Sequence, residues 1–349
     1  MAAARPHGIA RYALALWEAL PADGALEFVG LCGPETPAAP RRPGDRLLRC
    51  RAPFLSPAEQ LELPLLLARE RVDLLHATSF SVPFAWRGPL VLTLHDLNHL
   101  ANPGWFGPGR LAYYRGIVGP AARRARRVLT VSRFSSGEIT RRLGVRPDRV
   151  AQAPNAIEAR FSPAPPERVA ALRARLGLPE RFLLFVGNGK PHKNVALLCR
   201  ALGRTRTRLP ALLCGDGVAA AAGALPVGTR VLSEISDEDL PALYTAALAF
   251  AFPSRHEGFG LPPLEAAACG APVLVARGSA LDEIWADVSP PLSPDDPDAW
   301  ARAIDELASD AALRARRARA CLELAAHYRS WEPAVAAALL AYQAARREL

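Results

Sequence analysis

Two glutamates, Glu257 and Glu265, punctuate the stretch SRHEGFGLPPLEAAACG from Ser254 to Gly270. The apolar run LAFAFPS that enters it reads as a buried strand, and in an open parallel sheet ligands collect beyond the carboxyl ends of the strands. Residues 255 to 260 therefore fall in a crevice, with Glu257 accessible. Gly258 and Gly260 permit tight backbone approach, and Pro262 or Pro263 suits the first helical position, where a missing N–H costs nothing. The helix that follows runs to Gly270, a fitting C-terminal cap. Its start presents unpaired amides and a positive dipole end to an anionic ligand. A turn separates the two carboxylates, so both can point into one cleft at different depths. One can orient sugar hydroxyls, the other a ribose diol.

A second cluster lies in FVGNGKPHKN. Of the 43 lysine and arginine residues only two are lysines, Lys190 and Lys193, and both stand here. A compact ammonium on a flexible stem does work that a planar guanidinium does not. FLLFVG followed by NGKPHKN reads as strand, loop and helix start, where Lys193 can neutralise charge building on a departing diphosphate. His95 ends a third strand-like run, LVLTLHD. The four-residue spacing in HDLNH suggests metal ligands, but beyond Asp96 no carboxylate or cysteine company supports a metal.

These residues need strands to carry them. VDLLHA, LVLTLHD and RVLTVS in the first half, then FLLFVG, PALLCGDG, LAFAFPS and APVLVAR, alternate with helical patterns, which predicts parallel sheets with helical crossovers. At 349 residues the chain suits two domains. The proline-rich stretch APNAIEARFSPAPPERV places the linker near residues 154–166. From about Asp310 to Leu349 the pattern is one or two helices, bent around YRSWEP. GIARYALALWEAL is a convincing helix with no room before Gly8 for a strand to deliver the chain to it; the expectation is a missing first strand, explained by a misassigned start codon.

Half of the residues are hydrophobic, yet no apolar run reaches the roughly 18 residues that cross a bilayer. The start lacks a cleavage site, and the six cysteines form no C-x-x-C pair, so a cytoplasmic protein with buried free thiols is expected. A net charge of +9 favours an anionic partner. Arg123, Arg124, Arg126 and Arg127 in AARRARRVL suit either a solvated helix face or contact with anionic lipid. No nucleic-acid module accompanies the charge. GNGKPH lacks P-loop spacing, and no G-x-G-x-x-G follows a strand, which disfavours a nicotinamide-dependent dehydrogenase.

Glu257-x7-Glu265 within HEGFGLPPLEAAACGAPV resembles the signature of family 4 (group 1) retaining glycosyltransferases. GIARY, DLLHATSF, VSRFSSGEI, PNAIEARFSP, FVGNGKPHKN and SDEDLPALYTAALAFAFPS extend the likeness over most of the chain. The resemblance implies a GT-B fold: two Rossmann-like doubly wound α/β domains facing a central cleft. Residues 1–160 would form the acceptor domain, joined by a C-terminal helix at about 328–349, and residues 161–327 the donor domain. Carried over by position, Glu257 contacts the donor sugar, Glu265 the nucleoside ribose, and the amides of Gly258, Phe259, Gly260 and Leu261 the donor. Lys193, assisted by Lys190, holds the diphosphate, and Gly187 and Asn188 belong to the same donor loop. His95 faces the cleft from the other domain near the reaction centre, and Gly8 lies in the loop nearest acceptor or phosphate. Three departures stand out: Asn188 replaces an arginine common in the family, Ala156 replaces a glycine, and the initial strand is absent.

The expected activity is transfer of a hexose such as mannose from a nucleotide-sugar donor, GDP-mannose first among them, to a hydroxyl of a surface polysaccharide or lipid-linked glycan. Retention at the anomeric carbon is expected, with no metal and no further cofactor, and with domain closure hinged at the linker and the C-terminal bend. The alternative is a sugar-nucleotide-binding protein without turnover.

Overall fold

A computed structural model describes residues 8–21, 26–33, 46–233 and 235–347. The chain divides into two compact units, one of residues 1–155 with 331–349 and one of residues 156–330. The strand expected ahead of Gly8 would fall on residues 1–7, outside the described residues. Among the described residues no helix is long and apolar enough to cross a membrane.

The first unit holds β1 (Val29–Cys32), β2 (Arg46–Arg49), β3 (Leu75–Ala77), β4 (Leu90–Thr93), β5 (Arg127–Thr130) and β6 (Val150–Gln152). β1 and β2 pair with each other, while β3, β4, β5 and β6 form a second sheet in that order, and every pairing is parallel. Side chains of β4 alternate between two cores, as a sheet covered on both faces requires. Leu90 and Leu92 join Val128 against Val118, Ala122 and Ile139. Val91 and Leu129 meet Tyr12 and Leu16 of the Gly8–Ala19 helix and the alanine-rich face of the Glu332–Arg347 helix. Small Ala334, Ala338 and Ala341 let that last helix approach the sheet closely. His76 ties it down, with Nδ1 2.7 Å from the Tyr342 hydroxyl and Nε2 2.8 Å from Thr93 Oγ1.

The second unit holds β7 (Leu183–Val186), β8 (Ala211–Cys214), β9 (Thr229–Leu232), β10 (Ala249–Phe252) and β11 (Val273–Val275). They form one parallel sheet in the order β11-β10-β7-β8-β9. From β7 the chain winds outward through β8 and β9, then returns to lay β10 on the other side of β7. That reversal puts the topological switch point between β7 and β10, at whose carboxyl ends ligands of open parallel sheets collect. Phe182, Phe185, Phe250 and Phe252 are wholly buried and fix the two strands in the core.

The chain leaves the first unit through a buried passage: Asn155, Ala156 and Ile157 are each under a tenth exposed. Ile157 N donates to the Tyr328 carbonyl at 2.7 Å, and Arg329 donates to that of Phe161 at 2.6 Å. The outgoing and returning segments are thus bonded to each other. The C-terminal pattern resolves into two helices, Ala311–Ala326 and Glu332–Arg347.

Candidate active site

β7 and β10 are neighbours, so the turn containing Lys193 and the loop containing Glu257 emerge side by side. Arg255 N donates to the His192 carbonyl at 2.7 Å, and Ser254 Oγ donates to the same oxygen at 3.1 Å. Asn194 adopts a left-handed conformation (φ 55°) and its side-chain amide donates to the Pro294 carbonyl at 2.8 Å. Asparagine is among the few residues that adopt this conformation at low cost. With both loops locked, Lys193 Nζ lies 2.6 Å from Glu257 Oε1, and the side chains are only 12% and 13% exposed. The ammonium also sits 4.7 Å from the centroid of the Phe252 ring, in cation–π contact. One of its three N–H donors serves Glu257, which leaves two for other acceptors.

Gly260 takes φ 91° immediately before the Leu261–Ala268 helix, and a Cβ there would come within 2.5 Å of Leu281 Cδ2. Glycine is required on both counts. Pro262 follows Leu261 within the first turn, and Gly270 (φ 84°) ends the segment. Phe259 is buried edge-on against Tyr328, ring centroids 5.5 Å apart. The first-turn amides thus lie at the end of the loop that carries Glu257. Glu265, 5% exposed, accepts a hydrogen bond from the Tyr244 hydroxyl at 3.3 Å. Burial, then the Glu265 carboxylate, push the Tyr244 phenol well above its ordinary pKa, so it stays a donor.

The lysine loop is shaped by a glycine crossing that sequence reasoning missed in part. Gly187 N donates to the Cys214 carbonyl and Gly189 N to that of Asp216, at 2.9 and 2.8 Å. A Cβ on Gly189 would stand 2.0 Å from the Gly217 oxygen, and one on Gly215 1.8 Å from the Gly187 oxygen. Both loops read G-x-G, in VGNG and CGDG, which was the available signal. Asn188 Oδ1 accepts from Lys190 N at 3.2 Å, and Lys190 itself is exposed.

Two of the expected residues belong to the other unit. His95 follows β4; its Nε2 donates to the Thr78 carbonyl at 3.1 Å, which leaves Nδ1 as the acceptor of a neutral ring. Burial pushes its pKa below the usual histidine value, against the opposing pull of that carbonyl and of Asp96. Its ring stands edge-on to Tyr12, 4.7 Å between centroids. The His99 ring lies tilted against that of Phe106, centroids 4.2 Å apart. Gly8 opens the first helix, and a methyl on its Cα would meet no atom of the described residues within 4 Å.

Residues 170–321 match the family described as glycosyl transferases group 1, and residues 6–161 that described as glycosyltransferase family 4. An O-antigen chain mannosyltransferase B of Escherichia coli is 31% identical over 281 residues, which span 77% of this chain and 73% of the relative. The chain belongs to the group 1 glycosyltransferases. Another group 1 relative, a D-inositol 3-phosphate glycosyltransferase of Salinispora arenicola, is 34% identical over 287 residues, 74% of this chain and 64% of the relative. The solved structure of a sucrose-phosphate synthase from Thermosynechococcus elongatus has the same fold, with TM-score 0.78 over 96% of this chain and 93% of that one, at 22% identity. The fold of this group 1 glycosyltransferase is GT-B, with a Rossmann-like sheet in each unit.

Proposed function

We propose that this glycosyltransferase moves a hexose, mannose or a close relative of it, from a nucleoside diphosphate donor to an acceptor hydroxyl in polysaccharide or glycolipid biosynthesis, with retention. The observation that carries this reading is the Lys193–Glu257 pair at the ends of adjacent strands, beside the start of the Leu261–Ala268 helix. The pyrophosphate would lie against Lys193 and the first-turn amides, where the negative charge that grows on the leaving diphosphate meets preorganised donors. Glu257, fixed through Lys193, would accept from hydroxyls of the sugar, and Glu265 from the ribose. Lys193 and the helix supply the positive charge, so no metal is needed. Likeness to the Escherichia coli mannosyltransferase supports mannose, and likeness to the Salinispora D-inositol 3-phosphate glycosyltransferase supports a small phosphorylated acceptor as a competing choice. A cytoplasmic reaction suits a nucleotide-sugar donor.

The test is transfer of label from GDP-, UDP-, ADP- and dTDP-sugars in EDTA-containing buffer. One donor is expected to support turnover. Lys193→Ala and Glu257→Ala should each lower kcat by about a hundredfold or more, the size expected when one charge-stabilising group is lost, with circular dichroism unchanged. His95→Ala is expected to lower transfer with donor affinity kept. Full activity in the Lys193 or Glu257 variant would refute the assigned roles. Donor binding by calorimetry with no transfer to any acceptor would instead establish a binding protein without turnover.

A further inference from the structure

In the helix Pro57–Arg69, Leu67 packs into the core and Glu59 is buried, while Leu61 and Leu65 face outward. Its polar residues are Glu59, Gln60, Glu62 and Arg69. Glu59 accepts from Leu55 N at 2.8 Å, Glu62 accepts from Arg51 N and Ala52 N at 2.8 and 2.7 Å, and Gln60 accepts from Phe84 N at 2.7 Å. All three are spent on the backbone of the flanking loops. The outward stripe is Pro57, Ala58, Leu61, Leu65, Ala68 and Arg69, and both leucines are 72% exposed. A solvent-facing stripe of an ordinary surface helix is polar, and this one is apolar.

The loops on either side extend the same surface. Leu55 is held at φ 61°, a strained conformation for leucine, by its bond to Glu59. Phe54, just before it, is 59% exposed, and Phe84, anchored to Gln60, is 55% exposed. Arginine rims the patch. Arg69 continues the Leu61–Leu65 line by one turn, Arg51 sits where Glu62 binds its amide, and Arg87 stands 5.7 Å from the centroid of the Phe84 ring. The carboxylates of this region are withdrawn: Glu59 and Glu62 face the loops and Glu70 is paired with Arg46. The surface is therefore apolar at its centre and cationic at its edge.

The arginine run that the sequence offered for lipid contact is differently employed. Arg123 donates to the Leu143 carbonyl at 3.0 Å and Arg124 to that of Trp86 at 2.6 Å, so these two guanidiniums close carbonyls within the unit.

We propose that the outer face of the Pro57–Arg69 helix docks this glycosyltransferase on an anionic lipid bilayer. Phe54, Leu61, Leu65 and Phe84 enter the boundary between headgroups and acyl chains, the helix lies in the membrane plane, and Arg51, Arg69 and Arg87 meet lipid phosphates. Charge selects this occupant: an apolar strip ringed by arginine with its acids turned away matches an anionic interface.

The proposal is tested by cosedimentation of the purified full chain with vesicles of phosphatidylcholine, with and without phosphatidylglycerol, in the absence of donor and acceptor, so its outcome is independent of the transfer assay. The chain should bind the mixed vesicles and lose binding as salt rises. Leu61→Glu/Leu65→Glu should weaken partition by about tenfold or more per leucine. Arg51→Ser/Arg69→Ser/Arg87→Ser should remove most of the salt dependence. Leu340→Glu, at another exposed leucine, should leave binding unchanged, and unaltered melting curves would show that all variants fold. Failure of the wild-type chain to bind, or equal binding by the leucine variant, would overturn the proposal. So would a wild-type dimer that binds no vesicles and dissociates in the leucine variant, since the face would then be a protein interface.

Discussion

A lysine and a glutamate that are both nearly out of water depend on each other. Removing either leaves an uncompensated charge among apolar walls, which is costlier than losing an exposed pair. Lys193 and Glu257 form such a pair, and the Phe252 ring beneath the ammonium adds to it. Glu265 accepts from the Tyr244 phenol. Glu265→Gln keeps an oxygen for Tyr244 but loses a charged acceptor for a ribose diol. The expected outcome is a donor KM raised about ten- to a hundredfold with kcat within about a factor of two, read from initial rates over a donor series. A fall in kcat at constant KM would assign Glu265 to the reacting centre instead.

At the scale of elements, the glycine crossing between the loops after β7 and β8 fixes the path that delivers Lys193. Gly189→Ala would drive a methyl into the Gly217 carbonyl, so stability should fall by at least about 2 kcal/mol in urea titration, whereas Gly8→Ala, which meets no atom of the described residues, should be neutral or mildly stabilising. Among the strands the sequence revealed, β4, β8 and β10 lie inside their sheets with every residue covered. β1, β2, β6 and β9 escaped notice because each lies at a sheet edge with none of its residues fully buried, so none reads as a continuous apolar run. At the site, Glu257 and Lys193 stood out through local motifs. The ring of Phe252 under the lysine, the Ser254 and Arg255 bonds to His192, and the meeting of Gly189 with Gly217 are pairings between distant segments, and periodicity along the chain carries no trace of them.

At the scale of the molecule, the chain leaves the first unit at Asn155 and returns to it at Trp331. The returning helix is held by His76, whose pKa burial lowers to about 3, with His95 adding to the shift. An unfolded histidine takes its proton near pH 6.5. Below that value the unfolded chain binds a proton that the folded unit refuses, so stability is intact at neutral pH and is lost as pH falls towards 3. Melting temperatures measured between about pH 7 and about pH 4 should decline, and His76→Gln should flatten that decline. The same topology has a consequence during synthesis. Tyr12, Leu16, Val91 and Leu129 are covered by alanines of a helix that is translated only after the whole second unit. At ~5–20 residues per second the ribosome takes roughly ten to forty seconds to supply it. For that interval the nascent first unit carries an uncapped apolar face, a natural target for a chaperone waiting near the exit tunnel, while the second unit behind it can already close.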